Sequence, residues 1–185
     1  MAEPQRSPVA DEELLRAAAK GDAQAWATLF ERHRAALYNF LLRLLGDAET
    51  AEDLVQETFL KALRKQRSFR GASRFATWLF AIGLNAARSW GRRQAVAQRV
   101  PPARTGRHEP APPEVAAQRE RAEKIRQAIQ LLPEEQREVL ILSRYHDFSH
   151  QEIAEVLGCS SAAVRGRLFR AMETLRQQLR EELAP

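Results

Sequence analysis

Several residue types are scarce in this chain of 185 residues, and each scarcity excludes a class of protein. The single cysteine, Cys159, excludes an internal disulfide and any metal site built from several thiolates. Eight glycines supply few turn positions for an all-β fold, so we expect an all-α protein. No stretch approaches the roughly 18 uncharged residues of a membrane span, and the acidic first fifteen residues do not resemble a signal peptide. These absences predict a cytoplasmic protein without membrane insertion.

Acidic residues are absent from positions 58–108, although that window holds twelve Lys and Arg. Residues 1–57 hold eleven acidic and six basic side chains, and residues 109–185 hold thirteen and eleven. Each Lys or Arg placed near a phosphate releases a condensed counterion, so an acid-free window is typical of a surface that binds a polyanion. We favour nucleic acid over a membrane surface, because aromatic residues in the same window follow helical patterns that must pack against a core.

Proline marks a boundary in the middle of the chain. Five of the nine prolines fall within thirteen residues that show no hydrophobic periodicity. Such sequence buries too little apolar surface to offset its ordering entropy. We therefore predict a flexible linker at 96–113 between two small helical domains, at 11–95 and 114–185, with an N-terminal tail at 1–10.

The first domain begins with helical periodicity. A short helix is predicted at 11–20, followed by a helix of about 22 residues with Gly46 as its left-handed cap. Thr50 and Asp53 have the spacing of a capping box and predict the start of the next helix. The apolar sides of these two long helices are predicted to carry Trp26, Leu29, Phe30, His33, Leu37, Phe40, Leu41 and Leu44, and then Leu54, Phe59 or Val55, Leu60 and Leu63.

The rest of this domain places acidic and basic surfaces in one bundle. The outer face of the second long helix is predicted to carry Glu52, Asp53, Gln56 and Glu57. A loop at about 66–74 leads into a third helix, which starts at Phe75, runs through Asn85 and Trp90 and has Arg92 and Arg93 at its end.

The second domain is predicted to hold four helices. The first runs from Pro113 or Glu114 to Leu131, and Val139, Leu140 and Leu142 of the second face the core. Pro133 is predicted at the first position of the second helix. Ser149 and Glu152 have the spacing of a capping box that starts the third helix, and Gly158 ends it. Ser160 is predicted to cap the last helix, 161–182.

Ala154, Gly158 and Val164 have the spacing of a helix-turn-helix that begins at His150. The motif needs a small residue where the helices cross, a glycine at the tight turn and an apolar anchor on the second helix. The second helix would present Ser161, Ala162, Arg165, Gly166 and Phe169 outward, with Arg167 and Arg170 at its flanks. Arg165 and Ser161 would address base edges, and Arg167 and Arg170 would contact phosphates. The alternative for the motif is a plain αα-hairpin, and the alternative for the arginines is an ordinary solvated helix face.

Three blocks of sequence carry a resemblance to a known family. They are AEDLVQETFLKAL at 51–63, FATWLFAIGLNAARSWGRR at 75–93 and LPEEQREVLILSRYHDFSHQEIAEVLGCSSAAVRGRLFRAMETL at 132–175. The chain resembles the extracytoplasmic-function (ECF) group of bacterial sigma-70 factors. The resemblance implies a promoter-specificity subunit of RNA polymerase without enzymatic activity or cofactor, serving a stress or envelope-signal regulon. Its implied partners are core RNA polymerase, promoter DNA and an anti-sigma factor.

The resemblance also implies roles for individual residues. Asp53, Gln56 and Glu57 would dock on the coiled coil of the polymerase clamp, and the element from Ser68 to Arg93 would melt and read the minus-ten region. The implied minus-ten residues are Arg70, Arg74, Phe75, Trp78, Asn85, Arg88, Arg92 and Arg93, and the implied minus-thirty-five residues are Ser161, Ala162, Arg165, Arg167, Phe169 and Arg170. Core packing is the alternative for Phe75 and Trp78, and we favour it for Trp78.

The sequence departs from the family pattern at three positions in the matching blocks. Ser89 replaces the usual Asp of the N-x-x-x-D-x-x-R-R pattern that Asn85 begins, and Ala163 and Gly166 replace the commoner Thr and Ser. The family's minus-thirty-five sequence preference therefore does not transfer to this chain.

A stand-alone regulator and an enzyme are the two alternative classes of function. A stand-alone helix-turn-helix regulator that binds an operator as a dimer would share the motif, but it gives no reason for the acidic face at 52–57. A metal site would have to use His146 and His150, but a turn and a helix cap separate these two residues. An enzyme could use Cys159 as a nucleophile, but we interpret Cys159 as a small turn residue, with oxidation sensing as the alternative. We interpret His33 as a core or boundary residue.

Overall fold

The computed structural model describes residues 9–69, 71–97, 113–146 and 148–182, and these residues form eight α-helices, as the composition predicts. No strand occurs in this part of the chain. The helices are α1 (Asp11–Ala19), α2 (Ala23–Leu45), α3 (Ala48–Lys65), α4 (Phe75–Ala97), α5 (Pro113–Leu131), α6 (Glu134–Tyr145), α7 (His150–Leu157) and α8 (Ser161–Glu182), with a 3-10 turn at Gln66–Ser68.

Local capping sets the limits of α2. The carboxylate of Asp22 accepts hydrogen bonds from the backbone N–H groups of Gln24 and Ala25, at 2.9 and 3.0 Å. Gly46 ends the helix with φ of 78°, a left-handed conformation that glycine adopts without steric cost. The predicted cap at Gly46 is therefore confirmed.

The predicted start of α3 is wrong by a few residues. Asp47, and not Thr50, is the N-cap, because its Oδ2 accepts the backbone N–H of Thr50 at 2.8 Å. The predicted apolar side is also wrong in part: Leu60 and Leu63 are exposed, whereas both Val55 and Phe59 are buried. The inner face of α3 is thus set by residues 51, 54, 55, 58, 59 and 62.

The cap of α3 gives the fold a pH-dependent contribution. Hydrogen bonds from the Thr50 side chain and then from its backbone hold the pKa of Asp47 below the ordinary 3.8. A lowered folded pKa means that this stabilisation is complete above the unfolded value and is lost as pH falls through the folded one.

Replacing Asp47 tests this contribution. Asp47→Asn keeps a good N-cap and should remove the pH-dependent part, whereas Asp47→Ala should cost about 1 kcal/mol at neutral pH. Urea unfolding of the wild type and both variants at about pH 7 and about pH 3 measures it. If the wild type and Asp47→Asn lose the same stability on acidification, Asp47 does not titrate as described.

Helix α4 packs closely on its neighbours. It runs from Phe75 to Ala97, and Gly91 within it has no positive φ. At Gly83 a Cβ would lie 2.9 Å from Leu37 Cδ1, so the missing side chain lets α4 approach α2. This contact and that with α3 fix the orientation of the basic helix.

The predicted caps of the second unit are confirmed apart from one position. Ser149 and Glu152 form a reciprocal capping box, and Gly158 ends α7 with φ of 65°. Ser160 Oγ accepts the N–H of Ala163 at 3.1 Å, which caps α8. Pro133 is the N-cap of α6 and not its first helical residue, since its ψ of 142° is extended.

The two predicted units share one hydrophobic core. Helix α4 packs against α7, and α2 packs against α6. The predicted linker overlaps helices at both ends, because positions 96 and 97 belong to α4 and Pro113 opens α5; residues 98–112, like residues 1–8 of the predicted tail, lie outside the described residues. In the described chain no helix is both long and apolar enough to cross a membrane.

Candidate nucleic-acid and protein interfaces

An outward stripe on α3 carries the residues that the resemblance assigns to polymerase binding. Asp53 and Gln56 are exposed. Glu57 is partly exposed, and its Oε1 forms an ion pair with Lys61 Nζ at 2.6 Å. Leu60, 54% exposed, continues the same stripe because spacings of three and four share one helix face. Sequence reasoning placed Leu60 in the core, although its spacing from Asp53, Gln56 and Glu57 could have assigned it to this surface.

The entrance to α4 is built from residues far apart in the sequence. The carboxylate of Glu12 accepts the N–H of Phe75 at 3.3 Å, so the first turn of α1 caps the start of α4. Phe75 is fully buried, and its ring packs at a steep angle against the His33 ring, with the ring centroids 5.2 Å apart. Its core alternative is therefore the one the structure supports.

Trp78, in the first turn of α4, is half-buried and packs against the loop that precedes this helix. Its ring lies 5.2 Å from that of Phe69 and 6.0 Å from that of Phe75. The packing favours the core interpretation for most of the indole, while one side reaches the surface. Arg70, a predicted neighbour, lies outside the described residues.

The polar residues of α4 divide into an outward group and an inward-facing one. Asn85, Arg92 and Arg93 are exposed, and Arg92 donates to Ser89 Oγ at 2.9 Å. Ser89, the departure from the family's Asp, thus retains a contact with Arg92. Arg88 instead points toward the second unit.

Arg88 forms a two-pronged ion pair with Glu138 of α6. Its Nε and Nη2 donate to the two carboxylate oxygens at 2.7 Å each. Glu138 is completely buried, and its hydrogen bonds raise the pKa of Arg88 above its ordinary value. Arg74, at the start of the same basic region, pairs with Glu152 of α7 at 3.0 Å. The sequence carried no signal for either pair.

The helix-turn-helix has the geometry that its spacing predicts. Ala154 is buried where α7 meets α8, and Val164 is fully buried as the anchor of α8. Cys159 is partly buried in the turn, and its backbone N–H donates to the carbonyl of Ala154 at 2.9 Å. These contacts fix one side of the N-terminal half of α8 against the core and leave the opposite side exposed.

The outward side of α8 presents most of the predicted reading residues. Ala162, Arg165, Phe169 and Arg170 are exposed, and Ser161 is partly exposed. Arg167 lies on the other side, where it pairs with Glu135 of α6 at 3.1 Å and keeps 18% of its side chain exposed. The structure therefore does not bring Arg167 together with the other reading residues.

Two histidines of the described residues, His33 and His146, are used in packing. His33 Nε2 lies 2.6 Å from Asp11 Oδ2, which fits the predicted boundary role. The His146 ring packs among those of Phe40, Phe80 and Phe148, whereas His150 is exposed at the start of α7. Among the described residues, no group of three His, Cys, Asp or Glu side chains could hold a metal ion.

Family models match both units of the chain. The model described as Sigma-70 region 2 matches residues 29–96, and the model described as Sigma-70, region 4 matches residues 122–175. Helix α1, whose Glu12 caps α4, precedes the first match.

Curated relatives and solved structures agree with these matches. The RNA polymerase sigma-H factor of Pseudomonas aeruginosa is 34% identical, covering 91% of this chain and 93% of that protein. The ECF RNA polymerase sigma-E factor of Haemophilus influenzae is 31% identical, covering 91% and 95%.

Two solved structures are similar over most of the chain. CnrH in complex with the cytosolic domain of CnrY has a TM-score of 0.71 at 31% identity, covering 91% of this chain and 96% of that one. RpoE of Bartonella quintana, in complex with the anti-sigma factor NepR, has a TM-score of 0.69 at 25% identity, covering 88% and 100%. This chain therefore belongs to the ECF group of the sigma-70 family.

Proposed function

We propose that this chain binds core RNA polymerase and directs promoter recognition, DNA melting and transcription initiation in the cytoplasm, for a stress or envelope-signal regulon. The observation that carries the proposal is the presence, in one chain, of an acidic and apolar stripe on α3 and an outward-facing recognition helix. It acts as a specificity subunit and not as an enzyme, and it needs no cofactor.

The stripe on α3 is the proposed contact with the polymerase clamp. Asp53, Gln56 and Glu57 supply polar and charged groups, and Leu60 adds an exposed apolar side chain at the C-terminal end of the stripe. Interfaces commonly combine a buried apolar anchor with a charged rim that sets orientation and association rate.

The basic region from Ser68 to Arg93 is the proposed minus-ten element. Asn85, Arg92 and Arg93 offer exposed polar groups along α4, and Trp78 offers an aromatic edge beside the loop. Melted DNA needs cationic side chains along the strand and aromatic surfaces for unstacked bases, which this combination supplies.

The partner set includes a protein inhibitor. CnrH and RpoE were solved with CnrY and with the anti-sigma factor NepR, respectively. By this similarity we propose that an anti-sigma factor regulates the present chain.

A stand-alone dimeric regulator is the competing function, and footprinting separates the two. Promoter DNA is incubated with the chain alone, with core polymerase alone and with both. We expect strong protection of both promoter elements with the complete mixture. Equally strong, symmetrical protection by the chain alone would support the dimeric regulator instead.

The two proposed DNA surfaces should respond differently to arginine removal. Arg165→Ala should cost about 1–3 kcal/mol of discrimination at the minus-thirty-five element if its contact with a base is bidentate. Arg92→Ala and Arg93→Ala should weaken binding to all promoters and reduce the salt slope by about one unit per lost phosphate contact. Holoenzyme titrations on cognate and scrambled elements, at several salt concentrations, measure both effects. A uniform loss for Arg165→Ala with altered base preference for Arg92→Ala would reverse the assignment.

A further inference from the structure

The start of α4 receives no carboxylate cap from its own neighbourhood in the sequence. The carbonyl of Arg74 accepts the N–H of Trp78 at 3.2 Å, which puts Arg74 at the N-cap position, and a guanidinium carries only hydrogen-bond donors. The preceding loop offers no carboxylate either, because positions 58–108 contain neither Asp nor Glu. A carboxylate cap for this helix therefore has to come from elsewhere in the fold.

Glu12, on the first turn of α1, supplies that cap. Its Oε1 accepts the N–H of Phe75 at 3.3 Å, and the helix dipole stabilises a negative charge at the N-terminus of a helix. Glu12 is partly buried, and it lines the same surface depression as residues 71–74 of the loop before α4. The carboxylate thus lies where α1, the loop and the first turn of α4 meet.

Asp11, the neighbouring residue, fixes α1 on α2. Its two carboxylate oxygens lie 2.9 Å from Arg32 Nη1 and 2.6 Å from His33 Nε2. The same Arg32 nitrogen donates to the carbonyl of Val9 at 2.6 Å. The two consecutive acidic residues therefore have different tasks, since Asp11 anchors α1 to α2 and thereby places Glu12 at the entrance of α4.

Phe75 connects the capped end of α4 to the loop through aromatic contacts. Its ring is fully buried against His33, with the centroids 5.2 Å apart, and lies 6.0 Å from the ring of Trp78. The Trp78 ring in turn lies 5.2 Å from that of Phe69, where the loop begins. A shift of the Phe75 backbone would therefore disturb both ends of the loop.

We propose that Glu12 is a positioning residue for minus-ten recognition, which holds the loop before α4 and the first turn of that helix in the conformation that selects bases. The inference rests on the proposed function, because the loop matters only if this region reads DNA. A carboxylate repels phosphate, so Glu12 acts through the helix that it caps and does not touch DNA. Loss of the cap lowers the fraction of chains whose loop is already ordered for binding.

The sign of the effect separates positioning from charge. Removal of a carboxylate beside a DNA-binding surface should tighten DNA binding if only electrostatics matter. If Glu12 positions the loop, Glu12→Ala should instead weaken base selection by about fivefold, the factor to which a lost helix cap typically corresponds. Glu13→Ala, which makes the same charge change at an exposed neighbouring residue, should leave base selection unchanged.

Selection from a promoter library measures this effect in holoenzyme. Core polymerase and the full chain are incubated with fragments randomised at the minus-ten and minus-thirty-five elements, and the bound fragments are sequenced. We expect Glu12→Ala to lower base enrichment at the minus-ten positions by that factor and to leave the minus-thirty-five enrichment unchanged, because α8 lies in the other unit. Hydrogen exchange of the Phe75 amide in the free chain should be faster in the same variant.

Further variants separate positioning from stability. Asp22→Ala removes two N-cap hydrogen bonds of α2 and should lower the free energy of unfolding to a similar extent, without changing base enrichment. Glu12→Gln keeps an acceptor oxygen at the same reach and should retain the enrichment. Glu12→Asp is shorter by a methylene group and should lose it. The Gln and Asp variants decide the question if Glu12→Ala does not fold.

Wild-type enrichment at the minus-ten positions in Glu12→Ala, or an equal loss of that enrichment in Asp22→Ala, would overturn the positioning role. In either case the sigma-factor function stands, provided that the wild-type holoenzyme enriches a promoter sequence. A wild-type holoenzyme that enriches no sequence would contradict the proposed function itself, and the positioning role with it.

Discussion

Reversing the charges of Asp53 and Glu57 to lysine is expected to weaken association with core RNA polymerase by about 100-fold or more, since like charges brought together at an interface cost several kcal/mol. The isolated fold should be little affected. Both side chains reach the surface of α3, and the Glu57–Lys61 pair that is lost is an exposed i,i+4 contact worth about 0.3–0.5 kcal/mol. Titration of labelled protein with core polymerase, beside a thermal unfolding curve, measures both quantities.

A matched double variant distinguishes the effect of the α3 stripe on polymerase affinity from the effect of net charge. Glu13→Lys with Glu31→Lys changes the charge by the same amount at exposed positions of α1 and α2. It should leave polymerase affinity within a few-fold of the wild type at moderate salt, where distant charges are screened. If both double variants lose affinity equally, net charge and not the α3 stripe controls binding.

Truncation of Phe80 is expected to be the most destabilising single change where the two units pack together. The ring is 2% exposed and lies between Phe40 of the first unit and Phe148 of the second, at 5.2 and 5.0 Å. Phe80→Ala removes these contacts and leaves a cavity, which typically costs 3–5 kcal/mol. The free energy of unfolding from urea titration measures the loss.

Phe169→Ala is the control for that measurement. Phe169 is 68% exposed on α8, so the same truncation should change the free energy of unfolding by no more than about 0.5 kcal/mol. A loss below about 1 kcal/mol for Phe80→Ala would mean that the core does not continue across the two units.

The features predicted well from sequence are those that local chemistry determines. Gly46 and Gly158 have positive φ because the turns after α2 and α7 demand it, and the Ser149 capping box needs only residues three apart. The helix-turn-helix follows from Ala154 and Val164 in the same way. Each of these features depends on neighbours within a few positions.

Errors arose where two local signals competed. Thr50 with Asp53 imitates a capping box, but Asp47 three residues earlier caps α3 instead, and aspartate is the better N-cap. Leu60 was assigned to the core from its hydrophobicity, yet its position on the helix turns it outward. A better cap nearby decided the first case, and the position on the helix outweighed the character of the residue in the second.

Features that depend on distant partners had no sequence signal. Arg88 and Glu138 are fifty positions apart and lie in different predicted domains, so their bidentate pair could not be anticipated. Glu12 likewise caps α4 across 63 positions. The proline cluster predicted a tether between separate domains, and it carries no information on whether those domains pack together.

Transcription reconstituted from purified components tests the central claim most directly. Core polymerase lacking any sigma factor is mixed with this chain and a library of promoter fragments from the source genome, and transcript 5′ ends are mapped. The account predicts discrete start sites that appear only when the chain is added and that disappear with the Asp53 and Glu57 charge reversal. Transcripts that start at the same positions with and without the chain would contradict it.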